Sequence, residues 1–250
     1  MTAPDLELTV VVPVYDESET IEAVVREVVV VADELAPGRC EVVVVDDGST
    51  DGTGALVDVL AAELPEVQVV HQVNRGHGPA LLVGFDRARG RWIGHLDSDD
   101  QIPAKELAGL WSERAGADLV LGVRTDRDDP QHRLVLSAVV RRLVGLLAGR
   151  PVRDANVPCK LFRADLWAEA RPLLPDDVFA PSIALALVAA RQGHVIQEVP
   201  VAHRARTAGA STLRPLRLAR AVATATGQTL TLAWRLRPRP GSPPGRRRPG

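Results

Sequence analysis

Cysteine is scarce in these 250 residues: Cys40 and Cys159 alone cannot build a disulfide framework, which points to a reducing compartment, the cytoplasm. Aromatic residues make up 3% of the chain, and Tyr15 is the only tyrosine. Long apolar runs are missing as well. The longest stretches without charge, Val178–Ala190 and Ala221–Trp234, have 13 and 14 residues, short of the roughly 20 that a bilayer-spanning helix needs. Met1–Glu7 carries acids and no apolar signal core. The spacing Gly-x-Gly-x-x-Gly does not follow the first apolar run, and Gly-x-x-x-x-Gly-Lys-Ser/Thr occurs nowhere, which argues against nicotinamide enzymes and P-loop ATPases. No Cys or His cluster has zinc spacing.

What is present is an ordinary core-forming composition, 46% hydrophobic and 25% charged in 26.8 kDa, enough for one large domain or two small ones. The net charge of −2 hides a division: 11 of the 30 basic residues are arginines after His203, where there is no acid. The first 202 residues therefore hold 19 basic against 32 acidic groups, near −13, and the remainder carries +11. A tail of this sign suits an anionic partner such as phosphate or the inner membrane surface, or is simply solvated. It lacks the aromatic interleaving that would point to nucleic acid.

Val-rich runs at Leu8–Val14 and Glu41–Val45 read as strands buried on both faces of a parallel sheet. Between them Ile21, Val24, Val25, Val28 and Val31 repeat at helical spacing after Ser18, predicting a helix over Ser18–Leu35. Helices over Gly52–Leu64, Gly78–Ala88 and Pro103–Arg114 alternate with strands at Val67–His71, Trp92–Leu96 and Leu119–Val123. Such alternation predicts an α/β fold, a mostly parallel central sheet flanked by helices, with ligands at the carboxyl ends of the strands. Beyond Arg124 one long helix, His132–Ala148, carries Arg133, Ser137, Arg141 and Arg142 on one flank and leucine and valine elsewhere; it is either an internal helix with a polar edge or one lying on a lipid surface. The Pro-, Gly- and Arg-rich segment after Trp234 cannot pack a core.

The chemistry-bearing residues gather at the predicted strand ends. Asp97-Ser98-Asp99-Asp100-Gln101 follows the strand Trp92–Leu96, and the carboxylates of Asp97 and Asp99 with the amide oxygen of Gln101 suit Mg²⁺ or Mn²⁺. The competing reading is an acidic turn that caps the helix from Pro103. At Val45–Gly52 the glycines Gly48 and Gly52 permit close backbone approach, Asp46 or Asp47 can accept from a ligand, and Asp51 can cap a helix. Tyr15, at the mouth of the first strand, can stack on a nucleobase or serve in packing. Asn74–Ala80 is a glycine-rich basic turn suited to holding an anion at a helix N-terminus.

Taken in order, Pro13–Glu17 (PVYDE), Val42–Asp51 (VVVVDDGSTD), Asn74–Phe85 (NRGHGPALLVGF) and Asp97–Gln101 (DSDDQ) resemble family 2 glycosyltransferases of the GT-A fold. The segments Gly122–Arg124, Arg127–Pro130 with Arg133, Asp154–Pro158 with Lys160-Leu161, Glu198–Val201 and Arg206–Ser211 extend the likeness to polyprenyl-phosphate glycosyltransferases, the group of the dolichyl-phosphate mannose synthases, over roughly residues 8–215. The resemblance implies a catalytic domain over 1–215, a C-terminal helix over 216–234 and a disordered tail over 235–250.

It also implies roles. Pro13, Tyr15, Glu17, Val45 and Asp47 would bind base and ribose, with Asp97 and Ser98 on the nucleotide sugar. Asp97, Asp99 and Gln101 would hold the Mg²⁺ or Mn²⁺. Arg124 and Arg133 would grip the acceptor phosphate, and Arg206 and Ser211 would sit on a loop closing over donor and product. The implied reaction is an inverting transfer from GDP-mannose or a UDP-hexose to a polyprenyl phosphate by a protein peripheral to the cytoplasmic face of the membrane. The phosphate oxygen is already anionic, so no base is nominated. Acceptors with a hydroxyl would require one, with Asp176 or Asp177 as candidates; a non-catalytic nucleotide-sugar-binding protein is the other alternative. The chain departs from the family at Asp16, where Asn is common, at Thr212, where Lys is frequent, and at Asp100.

Overall fold

The computed structural model describes residues 5–124, 141–204 and 215–236, the stretch 215–222 by backbone alone. Strand β1 (Leu8–Val14) and β2 (Cys40–Asp46) are buried at every position, the property their unbroken valine runs predict for strands covered on both faces. They flank α1 (Ile21–Leu35), whose Ile21, Val24, Val25, Val28 and Val31 form the buried face. The helix starts three residues later than its sequence suggests, and the Ser18 N–H before it is taken by Asp51 Oδ2 at 3.0 Å.

The chain continues through α2 (Thr53–Glu63), β3 (Val67–His71), α3 (His77–Arg87), β4 (Trp92–Leu96), α4 (Glu106–Ser112) and β5 (Leu119–Arg124). Residues 141–148 are helical (α5), followed by β6 (Cys159–Arg163), α6 (Ala164–Ala170), α7 (Pro181–Gln192), β7 (Ile196–Val201) and α8 (Pro215–Arg235). The seven strands form one sheet in the order β3-β2-β1-β4-β6-β5-β7, parallel except for β6, which runs antiparallel to both β4 and β5. The mostly parallel sheet agrees with the expectation; β6 and β7 are additions to it.

Both charge-free stretches fall mostly in helices. Pro181–Ala189 of α7 is buried without a break, and Ala221–Trp234 lies within α8. No described helix is long and apolar enough to cross a membrane. Of the basic helix expected at His132–Ala148, residues 132–140 lie outside the described ones, and α5 packs Val144 and Ala148 inward with Arg141 and Arg142 exposed. The tail 237–250 is likewise outside them.

The strand order reverses direction between β1, which leads outward to β2 and β3, and β4 on its other side. Crevices at the carboxyl ends of strands beside such a switch point are where open α/β sheets take their ligands. All three acidic turns end there.

Candidate active site

The turn after β1 and the turn after β2 are stitched together by side chains. Asp16 donates its N–H to Ser49 Oγ (3.0 Å) and accepts from the Thr50 N–H (2.6 Å), while the Glu17 N–H reaches Thr53 Oγ1 (3.0 Å). Asp16 has φ +51°, a left-handed conformation that Asn and Asp tolerate best among side-chain-bearing residues, so its departure from the family's Asn leaves the backbone role intact. Tyr15 stands 45% exposed at the mouth of β1. Asp51 accepts from the Thr53 N–H at 3.0 Å, at the first residue of α2, whose cap position is Gly52.

Asp47 is buried and already carries three protein donors: Gln72 Nε2 (2.6 Å) and the N–H groups of Arg75 (2.9 Å) and Gly76 (2.8 Å). Its visible task is to hold the 72–76 turn. Two amides of the turn expected to cradle an anion are spent on this carboxylate, a correction to the reading of residues 74–80. Asp46 accepts from the Ser49 N–H (3.0 Å) and faces His71 Nδ1 (2.9 Å). Burial would raise its pKa, but those bonds outweigh burial and hold it below the usual carboxylate range.

The turn after β4 does not cap α4. That helix begins only at Glu106, with no side-chain cap at Lys105, and Asp99 Oδ1 accepts instead from the Gln101 N–H at 3.2 Å. Asp97 opens on a cavity of about 240 Å³ lined by His77, His95, Asn156, Pro158 and Ser182 together with Arg75–Gly78. His95 Nε2 lies 3.0 Å from Asp97 Oδ1, and His77 Nε2 lies 3.7 Å from it. Burial pushes the Asp97 carboxyl up; the neighbouring His77, the His95 hydrogen bond and Lys160 overcome that and bring it down to about 2. The Gln101 carbonyl accepts the Arg204 N–H (2.8 Å), which ties the end of the described stretch 141–204 to the acidic turn. Arg206, Ser211 and Thr212 of that segment lie outside the described residues, as does Arg133.

Arg124, at the end of β5, makes a bidentate pair with the buried Asp154 at 2.8 and 3.1 Å. The guanidinium expected on an acceptor phosphate is therefore partnered, and a phosphate would have to share it. Asp176 pairs with Arg171 at 2.6 Å, and Arg171 holds it below the ordinary carboxylate range; neither Asp176 nor Asp177 lines the cavity, which disfavours both as a general base.

Sequence reasoning gave no role to His77, His95, Lys160, Asp154 or Ser182. Lys160 is fully buried on β6, donates to Ser182 Oγ and lies 3.4 Å from His95 Nδ1. Burial lowers its pKa to about 8, and burial with the Lys160 charge lowers that of His95 to about 4. The signal in the sequence was a lone Lys inside the apolar run Cys159–Phe162, and a His inside Trp92–Leu96.

The donor set fits a divalent cation. Among the described residues His77, His95 and Asp97 form a group whose ligand atoms lie within 4.8 Å of one another, and Asp99 and Gln101 follow on the same turn. Carboxylate and amide oxygens suit Mg²⁺ or Mn²⁺, whereas imidazole nitrogen is a donor better matched to softer ions.

Comparison with known proteins agrees with this architecture. The dodecaprenyl-phosphate galacturonate synthase of Rhizobium johnstonii is 32% identical over 213 residues, 82% of this chain and 61% of the relative. The polyprenol monophosphomannose synthase of Mycolicibacterium smegmatis is 32% identical over 220 residues, 83% of this chain and 81% of the relative. An undecaprenyl-phosphate 4-deoxy-4-formamido-L-arabinose transferase of Pseudomonas fluorescens is 29% identical, and the chain spans 61% of it. Thus the chain covers about three fifths of the length of two of these relatives. Among solved structures, glucosyl-3-phosphoglycerate synthase of Mycobacterium tuberculosis with Mn²⁺, uridine diphosphate and phosphoglyceric acid superposes with TM-score 0.67 at 21% identity, over 91% of this chain and 78% of that one. A mannosyltransferase of Pyrobaculum calidifontis with GDP-mannose and Mn²⁺ gives 0.60 at 22%, over 92% and 73%. The fold is GT-A. With the profile of glycosyl transferase family 2 matching residues 9–166, the chain belongs to that family.

Proposed function

We propose that this chain is an inverting, metal-dependent glycosyltransferase that moves a hexose from a nucleoside-diphosphate sugar, GDP-mannose or a UDP-hexose, to a polyprenyl phosphate at the cytoplasmic face of the membrane. The observation that carries the reading is that Asp97 opens on a cavity at the carboxyl end of β4, beside the β1 and β2 turns that would take the nucleoside. The names of the three relatives above all specify a polyprenyl-phosphate product or acceptor, which supports the acceptor class.

The chemistry asks the protein for positioning. A phosphate monoester oxygen of the acceptor attacks the anomeric carbon, the bond from that carbon to the diphosphate oxygen breaks, and the configuration inverts; no proton must be removed from the nucleophile. Tyr15 and Glu17 would place base and ribose, with Asp47 sharing its carboxylate between the ligand and the 72–76 turn it already holds. Asp97 and Asp99, with Gln101, would hold a Mg²⁺ or Mn²⁺, whose contribution is to neutralise the charge on the departing diphosphate. Arg124, with Arg133, would orient the acceptor phosphate through paired N–H donors. Arg206 and Ser211 would close over the donor and keep water from hydrolysing it.

A second cavity of about 240 Å³ between α7 and α8, lined by Leu173, Leu174, Val178, Ala184 and Leu232, shares Ala180 with the first. A mostly apolar cavity that shares a wall residue with the first, with Gln228, Thr229, Thr231 and Arg235 on its polar side, would suit the first isoprene units of a lipid acceptor.

Purified protein given short-chain polyprenyl phosphate, Mn²⁺ and radiolabelled GDP-mannose, UDP-glucose or UDP-N-acetylglucosamine should move label into the organic phase with one donor. Chelator or Asp99→Ala should abolish that transfer. Label found only on a soluble glycan, or transfer that persists in chelator, overturns the acceptor or the metal assignment respectively.

A further inference from the structure

Lys160 is the least expected residue in the core. Its side chain is fully buried, and an ammonium in such a place costs several kcal/mol unless its donors are engaged. Strand register puts it directly across from His95 in the antiparallel β4–β6 pair, so the two side chains share one face of the sheet. Its Nζ donates to Ser182 Oγ on α7 and meets His95 Nδ1 at 3.4 Å. On the other side of the ring, His95 Nε2 meets Asp97 Oδ1 at 3.0 Å.

The proton positions follow from what each partner can do. A lysine ammonium has donors only and an ionised carboxylate has acceptors only. An imidazole between them satisfies both when Nδ1 keeps its lone pair toward Lys160 and Nε2 carries the proton toward Asp97. The ring has little freedom to change: it is 1% exposed and packs against the edge of Phe85, centroids 5.9 Å apart. Phe85 is itself wedged against Phe162 and Trp167.

We propose that Lys160 is a positioning residue: acting through His95, it fixes Asp97 Oδ1 and leaves the second oxygen of that carboxylate to face the cation of the sugar diphosphate. His95 is then an orienting donor and not a metal ligand, although its nitrogen lies within ligand range of His77 and Asp97. The chain Ser182, Lys160, His95, Asp97 links α7, β6 and β4 to the acidic turn. This inference rests on the reading of Asp97 as a cation holder.

Mn²⁺ affinity of the full chain in the presence of GDP or UDP, measured by calorimetry or by the electron paramagnetic resonance of free Mn²⁺, tests it apart from turnover. Lys160→Met, close in volume and without a donor, should weaken Mn²⁺ binding about tenfold to a hundredfold, the range seen when partners of metal ligands are removed. His95→Gln keeps an N–H donor for Asp97 and should bind Mn²⁺ within about threefold of the parent. Parent-like Mn²⁺ affinity in Lys160→Met overturns the proposal. So does a loss in His95→Gln as deep as that in Asp97→Asn, which would make His95 a ligand. Should Lys160→Met fail to fold, nitrogen chemical shifts of His95 in the unaltered protein decide: a protonated Nε2 with bare Nδ1 is expected, and the reverse tautomer rejects the relay. Unchanged Mn²⁺ binding in Asp97→Asn would reject the cation reading itself, while the tautomer still reports on Lys160.

Discussion

Two residues show how single positions are constrained at this site. Gly78 opens α3 beneath the segment that leads into α7: a Cβ there would lie 2.1 Å from the Val178 carbonyl oxygen and 2.8 Å from that of Phe179. Backbone cannot yield as a flexible side chain would, so Gly78→Ala should push α3 and α7 apart and destabilise the fold by about 2–3 kcal/mol, the scale of overpacking, seen as a lowered midpoint in denaturant unfolding. Arg124 is constrained by charge. Its pairing with Asp154 pre-sets the guanidinium plane, and under the proposed reaction that plane meets the acceptor phosphate. Losing a hydrogen bond to a charged group is worth about 1.5–3 kcal/mol. Arg124→Ala should therefore raise KM for polyprenyl phosphate about tenfold to a hundredfold while leaving the affinity for the nucleoside diphosphate alone. An unchanged acceptor KM would remove Arg124 from that role.

Among elements, the half of the sheet built from β1, β2, β3 and β4 was readable because each strand is a short apolar run, β1, β2 and β4 running into acidic turns, and strands consecutive in sequence are joined by one helix. The other half was less readable. Strand β6 inserts antiparallel between β4 and β5, so its partners are set by long-range register and not by a local alternation, and the Lys160 within it contradicts the usual exposure of lysine. The acidic turns were legible as a cluster, but their division of labour was not, since nothing in the sequence said that Asp47 would be consumed by the amides of Arg75 and Gly76. Between α2 and β3 the same holds for His71, which bridges Asp58 and Asp46 at 2.9 Å each. The Asp58 and Asp46 bonds raise its pKa above the ordinary histidine value. A raised folded-state pKa gives stability that is complete below about pH 6.5 and fades as pH rises through the shifted value. With the His71 side chain 45% exposed the effect should stay under about 1 kcal/mol. His71→Asn should thus lower the melting temperature at pH 6 and converge on the parent at pH 9; a constant difference across that range would reject the charged bridge.

At the scale of the whole molecule, charge is segregated along the chain, near −13 over the first 202 residues and +11 beyond. A body of that sign is repelled by an anionic membrane, yet the acceptor proposed for it is a lipid. The C-terminal end would resolve the conflict through its sequence and the last turns of α8, where Leu230 and Trp234, four residues apart and so on one helix face, are 46% and 67% exposed. Arg235 and the arginines beyond it follow at once. An aromatic that is polar at one end, next to cations, is the composition of a membrane-interface contact. Each arginine near an anionic surface contributes about 1 kcal/mol at low salt. Deleting 238–250 removes Arg239, Arg246, Arg247 and Arg248, so binding to vesicles rich in anionic lipid should fall up to about a thousandfold at low ionic strength. The difference should vanish near 1 M salt, where screening acts within about 3 Å. Trp234→Ala should weaken binding to the same vesicles by an amount that salt leaves unchanged, because what it removes is apolar contact. Both proteins should still turn over short-chain polyprenyl phosphate in detergent. Vesicle sedimentation across a salt series separates the two effects, and deletion with no change at low salt would take the arginines out of membrane binding altogether.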